Sequence, residues 1–234
     1  MTLKAVLFDF NGVIIKDEAI HQRLIEQLLL EENLRSKPKE YKQLCLGRSD
    51  RACLTDILNK RGRCVTDSLV TELIARKTQR YRRELEAMGS LPTYPGLEDL
   101  IFNLKAAQIK LAVVSGALRS EVELVLQRMQ LIHNFSVIIG GDDITVSKPE
   151  PDGYLLAIER LREQFPHLDL QAGDCLAIED TPAGIQAAKR AGISVVGVAN
   201  TYPFHMMQRQ SNWAVDYLSD LELDRVKQVY ARPQ

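Results

Sequence analysis

Several features that mark other protein classes are absent from this sequence. No apolar run approaches the roughly 18 residues that a helix needs to span a bilayer, so we expect no association with a membrane. The N-terminal stretch MTLKAVLFDF lacks a small-residue cleavage site and continues into a strand pattern, so we do not expect a signal peptide. The net charge is only −1, which argues against a broad nucleic-acid-binding surface.

The cysteines also lack a recognisable pattern. They form no CxxC pair and show no metal-ligand spacing with histidine. The four are Cys45, Cys53, Cys64 and Cys175. We expect all of them to be reduced thiols in a cytoplasmic protein. The sequence has no internal repeat and no low-complexity segment.

Short apolar runs are the main structural signal that is present. The 234 residues are 45% apolar and 26% charged, enough for one large domain or for a core with an insert. Five runs end in small or polar residues, and they lie at 5–8, 111–114, 137–139, 176–178 and 195–198. Continuous apolar strands indicate a sheet buried on both faces, and strands that alternate with helices indicate a parallel, doubly wound α/β sheet. In such sheets the functional groups lie beyond the carboxyl ends of the strands.

The segment 17–88 differs from the rest of the chain. It has no strand-like run, is rich in helix formers and carries apolar residues at helical spacing, such as Leu24 and Leu28. We interpret it as a helical insert after the first strand. The sequence therefore predicts two domains, a core made of 1–16 and 89–234 and a helical cap made of 17–88.

Charged and hydroxyl groups follow the predicted strands. Asp9 alone is compatible with a helix N-cap, and Lys148 alone with a solvated surface lysine. Ser115 and Gly116, after the second strand, offer a hydroxyl and free backbone N–H groups that can hold a phosphate oxygen. Two adjacent acids, Glu179 and Asp180, are costly at a strand end without a cation, and Mg²⁺ prefers such oxygen ligands.

Together these residues resemble the four motifs of the haloacid dehalogenase superfamily, in the subgroup of phosphatases and β-phosphoglucomutase that has a helical cap. The first motif is matched by 9–13, DFNGV, and the second by Ser115. The third is matched by Lys148 in SKPEPD, and the fourth by 179–184, EDTPAG. The resemblance covers nearly the whole chain, with the motifs in order after the expected strands.

The resemblance implies a phosphoric-monoester hydrolase that acts on a small phosphorylated metabolite. Asp9 would attack phosphorus and form an aspartyl-phosphate, and Ser115 and Lys148 would hold the phosphoryl oxygens with backbone N–H groups near Gly12 and Gly116. Mg²⁺ would be bound by a set of four residues: Asp9, the backbone carbonyl of Asn11, Asp180, and Glu179 through a water. The cap would close over the site and exclude water. We expect the protein to be a monomer.

Three cap residues are candidates for contact with the substrate. His21 lies where the mutase also has a histidine, near the hinge between core and cap. Arg48 and Arg51 fall in the stretch that matches the specificity loop of the family, where either could reach a substrate phosphate, and a solvated helix face is the alternative for both. Without gaps, Asp50 stands where a β-phosphoglucomutase has arginine. For Arg51 we favour a solvated helix face.

Asn11 departs from the family pattern, which usually has aspartate at this position as the general acid and base. An amide cannot exchange a proton near neutral pH, and general acid–base catalysis is worth roughly 10²–10⁴ in rate. The resemblance therefore predicts a slow hydrolase that suffers least with leaving groups that need no protonation. Three explanations of Asn11 remain: a naturally weakened enzyme or a non-catalytic binder, an engineered substitution, and deamidation at Asn11-Gly12.

Other functions stay open. A catalytically silent protein that binds a phosphorylated metabolite is the main alternative. Phosphonatase activity fits less well, because the matching specificity loop has no lysine. Mutase activity fits worst, because it needs the acid–base residue in both directions.

Overall fold

The computed structural model describes residues 2–231 and contains a parallel sheet of six strands in the order β3-β2-β1-β4-β5-β6. The strands are β1 (Ala5–Phe8), β2 (Lys110–Val114), β3 (Val137–Ile139), β4 (Cys175–Glu179), β5 (Ser194–Val198) and β6 (Trp213–Val215). Apolar layers cover both faces of the sheet, and every residue of β1 and β4 is buried. This confirms the predicted doubly wound α/β fold.

The strand register brings the predicted functional positions to one edge of the sheet. β1 lies between β2 and β4, and Phe8 is opposite both Val113 and Ile178. The backbone N–H of Asp9 donates to the Ile178 carbonyl at 2.9 Å. Asp9 therefore leaves the sheet at its centre, between the residues that follow β2 and those that follow β4.

The sixth strand is absent from the sequence prediction. β6 has only three residues, pairs in parallel with β5 at the sheet edge, and leaves Trp213 and Ala214 partly exposed. Its three apolar residues lie between polar neighbours and are not continuously buried, so this edge strand lacks the full burial that marks the central strands.

Ten α-helices surround or extend the sheet in the described residues. Five lie between β1 and β2, and the first four of them form the cap: α1 (Glu18–Glu31), α2 (Glu40–Leu44), α3 (Asp50–Lys60) and α4 (Asp67–Ala87). The others are α5 (Leu97–Ala106), α6 (Arg119–Arg128), α7 (Asp152–Gln164), α8 (Pro182–Arg190), α9 (Phe204–Gln210) and α10 (Leu223–Ala231). Short 3₁₀ turns lie at Ile132–Asn134, Pro166–Leu168, Ala172–Asp174 and Leu218–Asp220. None of the described helices has the length and hydropathy to cross a membrane.

The helical cap has an apolar cluster of its own. Side chains from α1, α3 and α4, among them Leu28, Leu54 and Leu73, are buried against one another and are separate from the two layers on the sheet. A side-chain N-cap marks the start of α3, where Ser49 Oγ accepts a hydrogen bond from the N–H of Ala52. The cap can thus keep its shape as a unit above the sheet. The exact boundaries of 17–88 stay a prediction.

A disulfide bond in the cap corrects one expectation. Cys45 and Cys53 are bonded, with their Cα atoms 4.6 Å apart, so the expectation of four reduced thiols is wrong for this pair. Gly47, which has a φ of +74°, lies in the turn that brings the end of α2 back to α3. That turn closes a separation of eight residues, a spacing that gives no sequence signal. Cys64 is exposed and Cys175 is buried, and both are free thiols.

Candidate active site

A buried lysine joins two carboxylates at the carboxyl edge of the sheet. Lys148 Nζ lies 2.7 Å from Asp9 Oδ1 and 2.7 Å from Glu179 Oε1, and it also donates to the Val114 carbonyl at 3.1 Å. Burial acts to lower the pKa of Lys148, but the two carboxylates outweigh it and raise the pKa. Lys148 therefore keeps its charge, and it fixes the direction of Asp9. Lys148 is only 4% exposed, so it is not a solvated surface lysine.

Three carboxylates meet beside this lysine. Oxygen atoms of Asp9, Glu179 and Asp180 lie within 4.8 Å of one another, and all three residues are buried. One oxygen of Glu179 and one of Asp180 have no hydrogen-bond partner among the described residues. Burial, followed by the charge of Asp9, raises the pKa of Glu179 to about 7 and the pKa of Asp180 well above its ordinary value. Unpartnered buried carboxylate oxygens of this kind fit a hard divalent cation such as Mg²⁺.

The remaining contacts of these acids hold them in place. Tyr154 Oη donates to Glu179 Oε1 at 2.6 Å, and the hydroxyl of Thr201 donates to Asp180. Neither tyrosine nor threonine supplies a charge, so the negative charge of the cluster is left to Lys148 and to a cation. These two donors are not predicted from the sequence, because neither belongs to the motifs that carry the resemblance.

Gly12 brings its backbone against the acidic cluster. Its φ is +83°, and a β-carbon at this position would overlap the Asp180 carboxylate. Asn200 Nδ2 donates to the Gly12 carbonyl at 2.7 Å and fixes the turn from the side of β5. Only glycine permits both the backbone conformation and the close approach.

The loop after β2 supplies a hydroxyl and backbone N–H groups. Ser115 is 1% exposed, and its Oγ accepts from the N–H of Ala117 at 2.9 Å. The Ser115 hydroxyl proton remains able to donate to an oxygen of a ligand. A β-carbon on Gly116 would lie 2.6 Å from the carbonyl oxygen of Arg48, so the cap loop rests directly on this turn.

The amide of Asn11 is directed away from the lysine and towards the cap. Asn11 Nδ2 lies 3.0 and 3.1 Å from the two oxygens of Asp17 and 3.0 Å from His21 Nε2. The carboxylate of Asp17 also accepts a hydrogen bond from Tyr81 and lies 3.1 Å from His21 Nε2. Asn11, Asp17, His21 and Tyr81 form what we call the hinge network, because it joins the first loop of the core to the cap helices α1 and α4.

The ionisation of the hinge network is set by Asp17. Burial acts to raise the pKa of Asp17, but His21 and the hydrogen bonds from His21, Asn11 and Tyr81 outweigh it and lower the pKa. Burial and Lys77 act to lower the pKa of His21, but Asp17 outweighs them and raises it. Asp17 and His21 therefore each favour the charged form of the other.

A small cavity of about 30 Å³ lies between the cap and the core beside Asp9, enough room for a few water molecules, so a substrate needs the cap to open. Its lining residues are Asp9, Asn11, Glu18, His21, Tyr41, Cys45, Gly47, Arg48, Asp50, Cys53, Lys77, Gly116 and Ala117. Both cations from the cap are already paired. Arg48 donates to Asp56 at 2.7 Å, and Lys77 lies 2.5 Å from Asp50.

The structure brings most of the predicted site residues together. The buried cluster and the cavity contain Asp9, Asn11, Gly12, Ser115, Gly116, His21, Lys148, Glu179 and Asp180. Arg48 lines the cavity, but its guanidinium group contacts Asp56. Arg51 contacts Asp67 on the cap surface, as favoured from the sequence. The spacing of Asp17 and His21, four residues apart at a helix start, is a signal by which the hinge network could have been found.

This fold, with a helical cap after the first strand and an acidic cluster at the carboxyl edge, defines a hydrolase of the haloacid dehalogenase type. The model of the family described as haloacid dehalogenase-like hydrolase matches residues 6–198, and the chain belongs to this family. Within it, the chain belongs to the CbbY and β-phosphoglucomutase-like subfamily.

Three relatives illustrate that placement. Protein CbbY of Rhodobacter capsulatus is 29% identical over 225 residues, which cover 94% of this chain and 95% of the relative. The β-phosphoglucomutase of Bacillus subtilis is 30% identical over 203 residues, which cover 86% of this chain and 85% of the relative. A crystal structure of CbbY from Rhodobacter sphaeroides with xylulose-(1,5)bisphosphate, in a mutant that carries asparagine for aspartate, superposes with a TM-score of 0.80 at 26% identity, covering 95% of this chain and 97% of that one.

Proposed function

We propose that this protein is a Mg²⁺-dependent phosphoric-monoester hydrolase that uses Asp9 as its nucleophile. The observation that carries the proposal is the position of Asp9. Its carboxylate is held by the Lys148 ammonium at 2.7 Å and lies within 4.8 Å of the paired acids Glu179 and Asp180. A pure binding protein has little need for a buried carboxylate that is held in position as a nucleophile.

Each of the other residues has a role that follows from its contacts. Asp9 attacks phosphorus, the ester P–O bond breaks, and an aspartyl-phosphate forms that water later hydrolyses. Lys148, the Ser115 hydroxyl and the N–H groups near Gly12 and Gly116 hold the phosphoryl oxygens. Lys148 also fixes the direction of the Asp9 carboxylate through its contact at 2.7 Å.

Mg²⁺ would be held by Asp9, Asp180 and the backbone carbonyl of Asn11, with Glu179 as an outer ligand. When bound, it neutralises the negative charge that the acids and the phosphate bring together. The two unpartnered oxygens of Glu179 and Asp180 support this set.

The substrate class that we propose is a small phosphorylated metabolite with one phosphate, such as a sugar phosphate. The names of the relatives connect the subfamily with phosphorylated sugars. A second phosphate would have to displace existing pairs, because Arg48 and Lys77 already contact Asp56 and Asp50. Polar lining groups such as His21 and Tyr41 suit hydroxyl groups instead.

The experiment measures the release of phosphate from p-nitrophenyl phosphate and from a panel of sugar monophosphates and bisphosphates, with Mg²⁺. Asp9→Asn should abolish activity on every substrate, because the nucleophile is lost. Asp216→Asn, a change on the exposed surface, is the control and should match the unmodified protein. Asn11→Asp should raise the rate on sugar phosphates more than on p-nitrophenyl phosphate, because only the former need a proton.

The second candidate is a silent phosphometabolite-binding protein. It is favoured by the orientation of Asn11, whose amide donates to the Asp17 carboxylate and cannot act as an acid or a base near neutral pH. No phosphate release from any of the four proteins, together with measurable binding of a sugar phosphate by calorimetry, would establish this alternative and end the phosphatase proposal.

A further inference from the structure

One carboxylate in the cavity has no charged partner. Glu18 is the first residue of α1, is half-buried, and lines the same cavity as Asp9 and Asn11. The only hydrogen bond to its carboxylate from the described residues comes from Tyr41 Oη, at 3.3 Å. No lysine, arginine or histidine in the described part of the chain forms a salt bridge with it.

The other two carboxylates of the cavity lining are each paired with a cation. Asp9 is paired with Lys148, and Asp50 with Lys77. Asp17, adjacent in sequence, faces the hinge network and accepts from Asn11 and Tyr81. Among the carboxyl groups that line the cavity, Glu18 is therefore the one without a cationic partner, and it can take up and release a proton.

The surroundings of Glu18 favour its neutral form more than those of a surface carboxylate do. Burial is the largest influence and raises its pKa to about 7, and the charges of Asp17 and Asp9 act in the same direction. His21 and the hydrogen bond from Tyr41 oppose them. The remaining titratable groups around it are Asp180, Tyr81, Tyr94 and Tyr202. A group that titrates near neutral pH suits both halves of a proton-transfer cycle.

We propose that Glu18 is the general acid and base of this protein, in the role that the amide of Asn11 cannot fill. This inference rests on the proposed phosphatase function. As Asp9 attacks and the ester P–O bond breaks, the leaving oxygen takes the proton of the Glu18 carboxyl group. The resulting carboxylate then takes a proton from the water that attacks the aspartyl-phosphate, which releases inorganic phosphate and restores the acid.

The leaving group separates this role from simple substrate binding. An alkoxide needs a proton as it departs, whereas p-nitrophenolate does not. Glu18→Gln keeps the size and the hydrogen bond from Tyr41 but removes the proton. We expect kcat to fall by about 10²-fold on alkyl phosphates and by less than about threefold on p-nitrophenyl phosphate. The decline of kcat on alkyl phosphates above about pH 7 should disappear in this variant.

A second arm uses the position that the family normally employs. With Asn11→Asp in place, a carboxyl group is again available at position 11, so adding Glu18→Gln should then cost less than about threefold on alkyl phosphates. Glu26→Gln, on the same helix but outside the cavity lining, is the matched control and should leave all rates unchanged. Glu18→Asp keeps an ionisable carboxyl group, so it should retain a measurable part of the activity and the decline of kcat at alkaline pH.

Several results would overturn the inference. One is an equal loss on alkyl and aryl phosphates in Glu18→Gln. A second is a decline of kcat above about pH 7 that persists in Glu18→Gln. A third is that Glu18→Gln lowers kcat on alkyl phosphates equally with and without Asn11→Asp. A protein that hydrolyses p-nitrophenyl phosphate but no alkyl phosphate would also contradict it. These outcomes differ from failure of the proposed function itself, which is signalled by full activity of Asp9→Asn or by no activity in any variant.

Discussion

Removal of the buried ammonium should be far more costly than removal of a surface cation. The carboxylates of Asp9 and Glu179 each lie 2.7 Å from Lys148 Nζ. Lys148→Met fills the same space but leaves both carboxylates without their shared partner. Loss of one member of a buried ion pair costs about 3–5 kcal/mol, because the remaining charge stays desolvated. Exposed pairs contribute about 0–1 kcal/mol. In EDTA at pH 8, we expect Lys148→Met to lower the free energy of unfolding by about 3–5 kcal/mol.

The cost of Lys148→Met should depend on pH in a defined direction. The pKa of Glu179 in the folded protein is about 7, above its ordinary value of 4.5, and loss of Lys148 raises it further. Below pH 7 the folded protein binds a proton at Glu179 with or without the lysine. Glu179 is then neutral and does not need a cationic partner. As the pH rises through 7, the unmodified protein stabilises the ionised form and the variant does not. The difference in stability should therefore be smaller at pH 5 than at pH 8.

Urea unfolding followed by far-ultraviolet circular dichroism measures this difference at both pH values. Arg190→Met is the control, because Arg190 and its partner Glu150 are 41% and 47% exposed and contact each other at the protein surface. It should cost less than about 1 kcal/mol at either pH. A cost for Lys148→Met below 1 kcal/mol at pH 8, or the same cost at pH 5 and pH 8, would refute the argument that the lysine compensates two buried carboxylates.

Three further predictions concern the metal, the Gly12 turn and the disulfide. Free Mg²⁺ at 100 times its Kd should raise the free energy of unfolding by about 2.7 kcal/mol, and Asp180→Asn should remove most of that gain in a urea titration. Gly12→Ala should lower the melting temperature more than Gly62→Ala and should weaken the response to Mg²⁺. Both glycines have a positive φ, but only at Gly12 does a β-carbon meet the acidic cluster, and equal losses would contradict this. Reduction of the Cys45–Cys53 bond should cost about 2.5 kcal/mol for its short loop, and a Cys45→Ser, Cys53→Ser protein that is insensitive to reductant is the control.

The central sheet and the order of the site residues were predictable because they depend on simple patterns. Buried parallel strands need continuous apolar runs, and the carboxyl ends of those strands meet at one edge. The residues after β1, β2 and β4 must therefore come together whatever the loops do. Asp9 and Asp180 are predicted to be neighbours by this rule alone, although 170 residues separate them in the chain.

Features that depend on side-chain direction or on short-range geometry were not predictable. The position of Asn11 was clear from the sequence, but its choice of Asp17 and His21 as partners depends on the angle at which α1 leaves the first loop. The disulfide required the turn at Gly47 to bring two helices together. Glu18 carried no motif, and its lack of a cationic partner becomes visible only when the cavity lining is known.

The hinge network matches an amide at position 11 and should resist an acid there. Asn11 Nδ2 contacts both oxygens of Asp17, so Asn11→Asp alone places two carboxylates about 3 Å apart in a buried site, where one must take up a proton or turn away. We expect this change to cost about 1–3 kcal/mol of stability. Exchanging the two side chains, Asn11→Asp with Asp17→Asn, restores one donor and one acceptor and should recover most of that loss.

The exchange should also show how far the network limits catalysis. In Asn11→Asp the repulsion from Asp17 already turns the new carboxyl group towards the phosphate, but at a cost in stability that the double variant avoids, so the double variant should hydrolyse alkyl phosphates at least as fast as Asn11→Asp does. Urea unfolding and kcat on the same preparations measure both effects, with Asp17→Asn alone as the control. The sum of the stability losses in Asn11→Asp and Asp17→Asn is the expected loss if the two sites are independent. If the double variant loses more than this sum, the network does not serve to avoid charge repulsion. In that case the amide at position 11 is retained for its shape and its two hydrogen bonds.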